Sequence, residues 1–165
     1  MITTVDLHEA VVRVWNDSGL NEQFTQYWSE ADKLTFPVLH DTKATPAQPF
    51  PFCVFEVSVN SVVTRMTSSA KKGRKEIHDT PWVFRVYARY IQGVNKSAKR
   101  IAAELNERIM MKFGGHPSIA PDKLELENGG VILARYVSDM GVRSGEEEWS
   151  WILSYLFRSD VPMAA

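Results

Sequence analysis

The chain reads as an α+β protein: a mainly antiparallel mixed sheet covered by an N-terminal helix and one long central helix. Three stretches carry that reading. Residues 82–90 alternate apolar and polar, residues 98–113 repeat apolar side chains at helical spacing, and residues 149–158 alternate again with aromatics on one face. Strict alternation marks a half-buried strand, and a three-to-four repeat marks an amphipathic helix. A strand followed at once by a covering helix, with further strands behind, is the order of a layered α+β domain.

From the N-terminus, Thr3 or Thr4 is placed to cap a first helix, with Asp6 and Glu9 near its positive end. Leu7, Val11, Val14 and Trp15 form its apolar stripe, and Asp17-Ser18-Gly19 reads as its stop. Asn21 is placed to cap a second, short turn in which Phe24, Tyr27, Trp28 and Ala31 share a face. Periodicity then lapses from about residue 34 to 51, a segment punctuated by Pro37, Pro46, Pro49 and Pro51. Proline lacks the donor that a ladder needs, so this is expected to be an irregular connection over the surface. A connection this long in a compact domain is often functional or ordered by a partner.

Phe52 to about Met66 reads as the next strand, with Cys53, Phe55, Val57 and Val59 alternating with Glu56 and Ser58. The polar stretch at about 67–79 contains Lys71, Lys72, Arg74 and Lys75 and precedes the strand from Trp82. The expected form is a long hairpin with a mobile, basic tip. In the second strand Trp82, Phe84, Val86, Ala88 and Tyr90 share one face, and Arg85 and Arg89 the other.

The central helix is expected to begin near Asn95 or Ser97 and to end at Gly114-Gly115. Ala98, Ile101, Ala102, Leu105, Ile109 and Phe113 form its buried stripe. Lys96, Lys99 and Arg100 at its start have the wrong sign for the helix dipole, costing roughly a few tenths of a kcal/mol each. Asn128-Gly129-Gly130 between Leu124-Glu125-Leu126 and Val131–Val137 predicts a second hairpin. Gly141 to Glu148 reads as a further turn, closing in the acidic run Glu146, Glu147, Glu148. In the last strand, Trp149–Arg158, the residues Trp149, Trp151, Leu153, Tyr155 and Phe157 share a face that needs a core or a subunit partner.

A chain of 165 residues with 44% hydrophobic and 24% charged side chains is expected to be a single soluble domain spanning 1–165. Its net charge of −1 gives no global attraction to nucleic acid or membrane. No apolar run approaches the ~20 residues of a membrane span. The opening Met1–Asp6 lacks the pattern of a secretion signal, which points to a cytoplasmic protein. The single cysteine, Cys53, excludes an internal disulfide and a Cys-based zinc site and reads as a buried apolar side chain.

The four histidines (His8, His40, His78 and His116) are scattered without metal-binding spacing. His40-Asp41 and His78-Asp79 are adjacent pairs in predicted loops, more often solvated than catalytic. There is no nucleophile elbow, phosphate loop or dinucleotide fingerprint. No catalytic residue, cofactor or metal is expected.

Charge distribution is more informative. Between Arg65 and Arg100 ten basic residues face two acidic ones, a formal +8 that leaves −9 for the rest of the chain. One basic and one acidic region suit head-to-tail association of unlike patches. They also suit a nucleic-acid contact through the basic hairpin, although no aromatics are interleaved there as in single-strand binders.

The order of elements then resembles a known group. A helix (Leu7–Trp15) leads through a proline-rich connection into Pro49-Phe50-Pro51-Phe52-Cys53-Val54-Phe55; a polar insert, the strand Trp82–Tyr90, the helix Ala98–Phe113 and terminal strands follow. This is similar to the tail-terminator and tail-completion (neck) proteins of tailed bacteriophages and prophages, in which a P-[FY]-x-V entry commonly opens the first long strand. The resemblance implies a non-enzymatic virion protein. It implies a homo-oligomeric ring, usually hexameric, that ends the tail tube and meets the head connector. The expected partners are other copies of itself, the tail-tube protein and connector proteins, with no membrane. The expected location is the virion tail, and the host cytoplasm during assembly. Candidate interface residues are Lys71, Lys72, Arg74, Lys75, Arg85 and Arg89 on the basic side and Glu146, Glu147 and Glu148 on the acidic side. The alternatives are a nucleic-acid-binding module and, third, a small hydrolase around His78 and Asp79.

Overall fold

A computed structural model describes residues 4–57, 61–67, 74–120, 124–125 and 131–162. Helix α1 (Thr4–Asp17) buries Leu7, Ala10, Val11 and Trp15 at helical spacing. It ends where the Ser18 hydroxyl donates to the Trp15 carbonyl at 2.7 Å and Gly19 turns to φ 77°. Gly19, rather than Asn21, sits at the N-cap of helix α2 (Leu20–Thr25). Asn21 instead accepts the Trp15 indole N–H at 2.8 Å, which removes it from the capping role.

The expected single face of Phe24, Tyr27, Trp28 and Ala31 is broken. The chain leaves the helix after Thr25 and starts α3 (Glu30–Thr35) under a new cap, the Ser29 hydroxyl, which accepts from the Asp32 N–H at 3.2 Å. Phe24 and Trp28 are buried, Ala31 is exposed, and the Trp28 indole donates to the Pro51 carbonyl at 3.0 Å.

The connection at 34–51 is not irregular throughout. Strand β1 (Leu39–Asp41) runs parallel to β2 (Phe52–Val57), pairing Leu39 with Cys53 and Asp41 with Phe55. Three residues are too few to show a period, so the pairing alone defines β1. Where one strand from Phe52 to Met66 was expected, β2 and β3 (Ser61–Thr67) are described as two, both antiparallel to the same partner β4 (Arg74–Arg89). Residues 74–79 therefore belong to a strand and not to the hairpin tip. Residues 68–73 of that tip, Lys71 and Lys72 among them, lie outside the described residues.

After β4 comes helix α4 (Ala98–Phe113), capped by Ser97, whose hydroxyl accepts from the Arg100 N–H at 3.2 Å. Strand β5 (Leu124–Glu125) then pairs antiparallel with β6 (Val131–Arg143), as the Asn128-Gly129 signal requires, the turn itself lying outside the described residues. Strand β7 (Glu148–Pro162) pairs with β4 from Lys75↔Pro162 to Arg89↔Glu148 and with β6 on its other side.

Gly141 lies inside β6 rather than in the expected turn, which is confined to residues 144–147. A Cβ at Gly141 would sit 2.6 Å from the Trp151 ring, so the glycine makes room for that indole. The sheet order is β1-β2-β4-β7-β6-β5, with β3 beside β4. One pair is parallel and the rest antiparallel, which makes an α+β fold with a mainly antiparallel mixed sheet.

One face of this sheet is the core. Trp82, Phe84, Val86 and Ala88 of β4 meet Leu153, Tyr155 and Phe157 of β7, Phe55 of β2, Trp15 of α1 and Phe113 of α4. Tyr90, expected in that row, lies past the strand end and is exposed. Each fully buried aromatic or aliphatic side chain here is worth roughly 1.5–3 kcal/mol of apolar transfer. On the opposite face Val83, Tyr87, Ile152 and Leu156 are half-exposed.

Candidate interaction surface

Alternation along β4 places Arg85 and Arg89 on the face away from α1 and α4. The basic and acidic candidates do not form two separate patches. Arg89 Nε donates to Glu148 at 3.0 Å, its Nη2 reaches the same carboxylate oxygen, and the guanidinium lies 4.2 Å over the Phe50 ring. Arg89 and Glu148 thus satisfy each other across the β4–β7 register within one chain. Glu146 and Glu147 are exposed in the turn beside them.

Arg74 and Lys75 enter β4 at its far end, fifteen residues from Arg89, roughly 50 Å at strand rise. The charged groups therefore mark opposite ends of the sheet. Arg85 sits between them, half-exposed, with one guanidinium N–H on the Tyr87 hydroxyl at 3.3 Å. That bond is the main reason its pKa is raised further.

Other members of the basic segment are also partnered. Lys96 and Arg100 share Glu104 at 2.7 and 3.0 Å, and these two bonds hold the Glu104 carboxyl below its usual range. Lys99 lies over the Trp149 ring. Arg158 grips both oxygens of Asp79 at 2.8 and 2.9 Å, depressing the Asp79 pKa. Asp79 is therefore engaged by a guanidinium, and the His78 side chain lies outside the described residues.

Two features escaped the sequence reading. The first is a polar cluster under α4. The Asp139 carboxylate accepts from the Trp151 indole at 2.7 Å, from the Asn106 amide at 3.2 Å and from the Tyr136 hydroxyl. Asn106 is buried on the flank of the helix stripe, and its partner is thirty-three positions away, so no local spacing signals the pair.

The second feature is His40, buried on β1 with Nε2 unpartnered. Burial lowers its pKa, against weaker opposing bonds from Pro37 and Gln48. On the other face of β1, a groove of about 440 Å³ runs between α1, α3 and β1, lined by His8, Val12, Phe36, Leu39 and Asp41 among others.

Cys53 is fully buried and its thiol pKa is pushed up by desolvation, which leaves it unreactive. Among the described residues no three His, Cys, Asp or Glu side chains converge on a metal position, and no helix is long and apolar enough to cross a membrane.

No protein-family model matches the chain. No curated protein matches it in sequence. Among solved structures it is similar to a chain in the virion of a native gene transfer agent particle, at 17% identity and a TM-score of 0.38, over 87% of this chain and 92% of that one. A second solved chain aligns at 13% identity and a TM-score of 0.38, over 96% of this chain and 97% of the other. At those scores the likenesses carry no argument about function.

Proposed function

We propose that this chain is a non-enzymatic structural protein of a tailed phage or prophage virion, closing into a homo-oligomeric ring of the tail-terminator type. The observation that carries the reading is the one-sided sheet. Helices α1 and α4 cover one face. On the other, Phe52, Val54 and His40 are buried at the β1–β2 end, with Tyr87 stacked on Phe52. The β4–β7–β6 part of that face is left with half-exposed Val83, Ile152 and Leu156 and exposed Met140. An apolar surface of that kind marks a partner contact. The order of elements adds the direction, since it resembles proteins that act as rings.

The nucleic-acid alternative draws less support. Arg89, Lys96, Arg100 and Arg158 are already held by carboxylates of the same chain, which reduces the positive field available to phosphates. The hydrolase alternative would need Asp79, which Arg158 occupies.

Light scattering with negative-stain imaging tests the reading. A ring, six-fold on the family expectation, supports it, and a strict monomer across the accessible concentration range counts against it. In the same assay Lys71, Lys72, Arg74 and Lys75, all changed to alanine, are expected to leave the fold intact and weaken binding to tail-tube protein. Unchanged binding removes the hairpin from the contact.

A further inference from the structure

We infer that the free edge of β6 is an inter-subunit seam, continued by the opposite sheet edge, β1 and the end of β2, of a second copy of this chain. This rests on the ring reading above and names the surface that would make the ring.

Among the described residues, strand β5 pairs with β6 at Val131 and Ile132. From 133 to 143 the outer backbone of β6 forms no backbone hydrogen bond to another strand among the described residues. A long open edge is a template for pairing, and monomeric proteins guard such edges with charge, proline or a covering element. Here the edge displays Val137 and Met140, each 57% exposed, and Tyr136. Along it Asp139 is turned inward onto Asn106 and Trp151. Arg135 and Arg143 are exposed and a register shift lies between Tyr136 and Ser138, so the apolar side chains left for pairing are Val137 and Met140.

The occupant follows from topology and charge. Strand β6 is antiparallel to β7 and β7 to β4, while β1 is parallel to β2, itself antiparallel to β4. A copy set alongside in the same sheet therefore presents its β1 edge to β6 in the antiparallel sense. The β1 edge is also level with the free part of β6, because Leu39–Asp41 and Asp139–Gly141 trace through the ladder to the same rows.

Exposed Arg135 on β6 and exposed Glu56 on β2, just past the end of β1, share the uncovered face of the sheet. A stagger of about two to three residues, such as a closing sheet requires, sets them opposite one another. Because the two edges differ, the contact is heterologous and generates a ring where the rotation closes.

The test compares the full-length protein with edge variants by sedimentation and light scattering. Val137→Lys with Met140→Lys replaces two exposed side chains and is expected to keep the circular dichroism and thermal midpoint while weakening self-association by about tenfold or more. Arg135→Glu and Glu56→Arg are each expected to weaken it, and the two combined to restore it. A wild-type chain that never associates overturns the ring reading and this inference together. A wild-type oligomer untouched by the lysine pair overturns the seam and leaves the ring reading standing. Dissociation by the lysine pair with no rescue by the charge exchange overturns the β1–β2 edge as occupant, in favour of two β6 strands meeting each other.

Discussion

The two faces of the β4–β7 ribbon use the same backbone and differ in every other respect. On the helix side Trp82, Phe84, Leu153 and Phe157 are wholly buried, with Trp82 and Phe84 in ring contact with aromatics from α1, α4 and β2 and Phe157 against Trp82. On the other side, one residue along, Val83, Arg85, Ile152 and Leu156 remain half-wet. Period-two alternation makes such a division possible, but the helices decide which side is dry. The dry side holds the fold together, and the wet side and its free edge are left for association.

The comparison can be broken most sharply at matched positions. Phe84→Ala is expected to lose about 3–5 kcal/mol of stability by leaving a cavity under α1 and α4. Leu156→Ala, across the sheet, is expected to cost less, about 1–2 kcal/mol in the isolated chain, since part of its surface stays in water and no helix covers it. Urea denaturation of both variants measures the difference, and equal losses would refute the one-sided core.

A smaller effect is expected from pH at the β1 edge. Burial lowers the pKa of His40 in the folded state, so the unfolded chain binds its proton more readily. Its contribution is intact above the ordinary imidazole value of about 6.5 and is lost as pH falls from there through the lowered folded value. Urea midpoints at about pH 8 and about pH 5.5 should differ more in the native chain than in His40→Leu, and an identical slope in the two would remove His40 as the cause.

The smallest effect belongs to the surface pair. Glu148→Ala is expected to cost about 0.2–1 kcal/mol, because Arg89 and Glu148 are both partly solvated. A larger loss in thermal melts would mean that Arg89 also depends on that carboxylate to stay over Phe50.

Much of the architecture was legible where local periodicity and burial coincide. The stripe of α4 from Ala98 to Phe113 is buried as its spacing predicts, and Ser97 and Gly114 bound it as their chemistry suggests. What could not be read was set by non-local pairing. Strand β1, three residues long, exists only through its pairing with β2, whereas β5 was announced by the Asn128-Gly129 hairpin signal. Residues 74–79 owe their strand state to flanking β3 and β7 rather than to apolar alternation. Gly141 looked like a turn residue because glycine usually is one, whereas its role is to admit the Trp151 ring.

The candidate surface was legible only as a charge asymmetry. That asymmetry dissolved in part once Arg89 met Glu148 and Lys96 and Arg100 met Glu104.

By itself, then, the sequence determined the long periodic elements, the stripes of α1 and α4 and the alternating parts of β4 and β7, and which side of each would seek an apolar partner, because both depend on spacing within a few residues. The tertiary structure alone decided which strands are neighbours, where the sheet is left open along β6, and which charges cancel. Those outcomes depend on hydrogen bonds and ion pairs between residues tens of positions apart, and no local pattern encodes them.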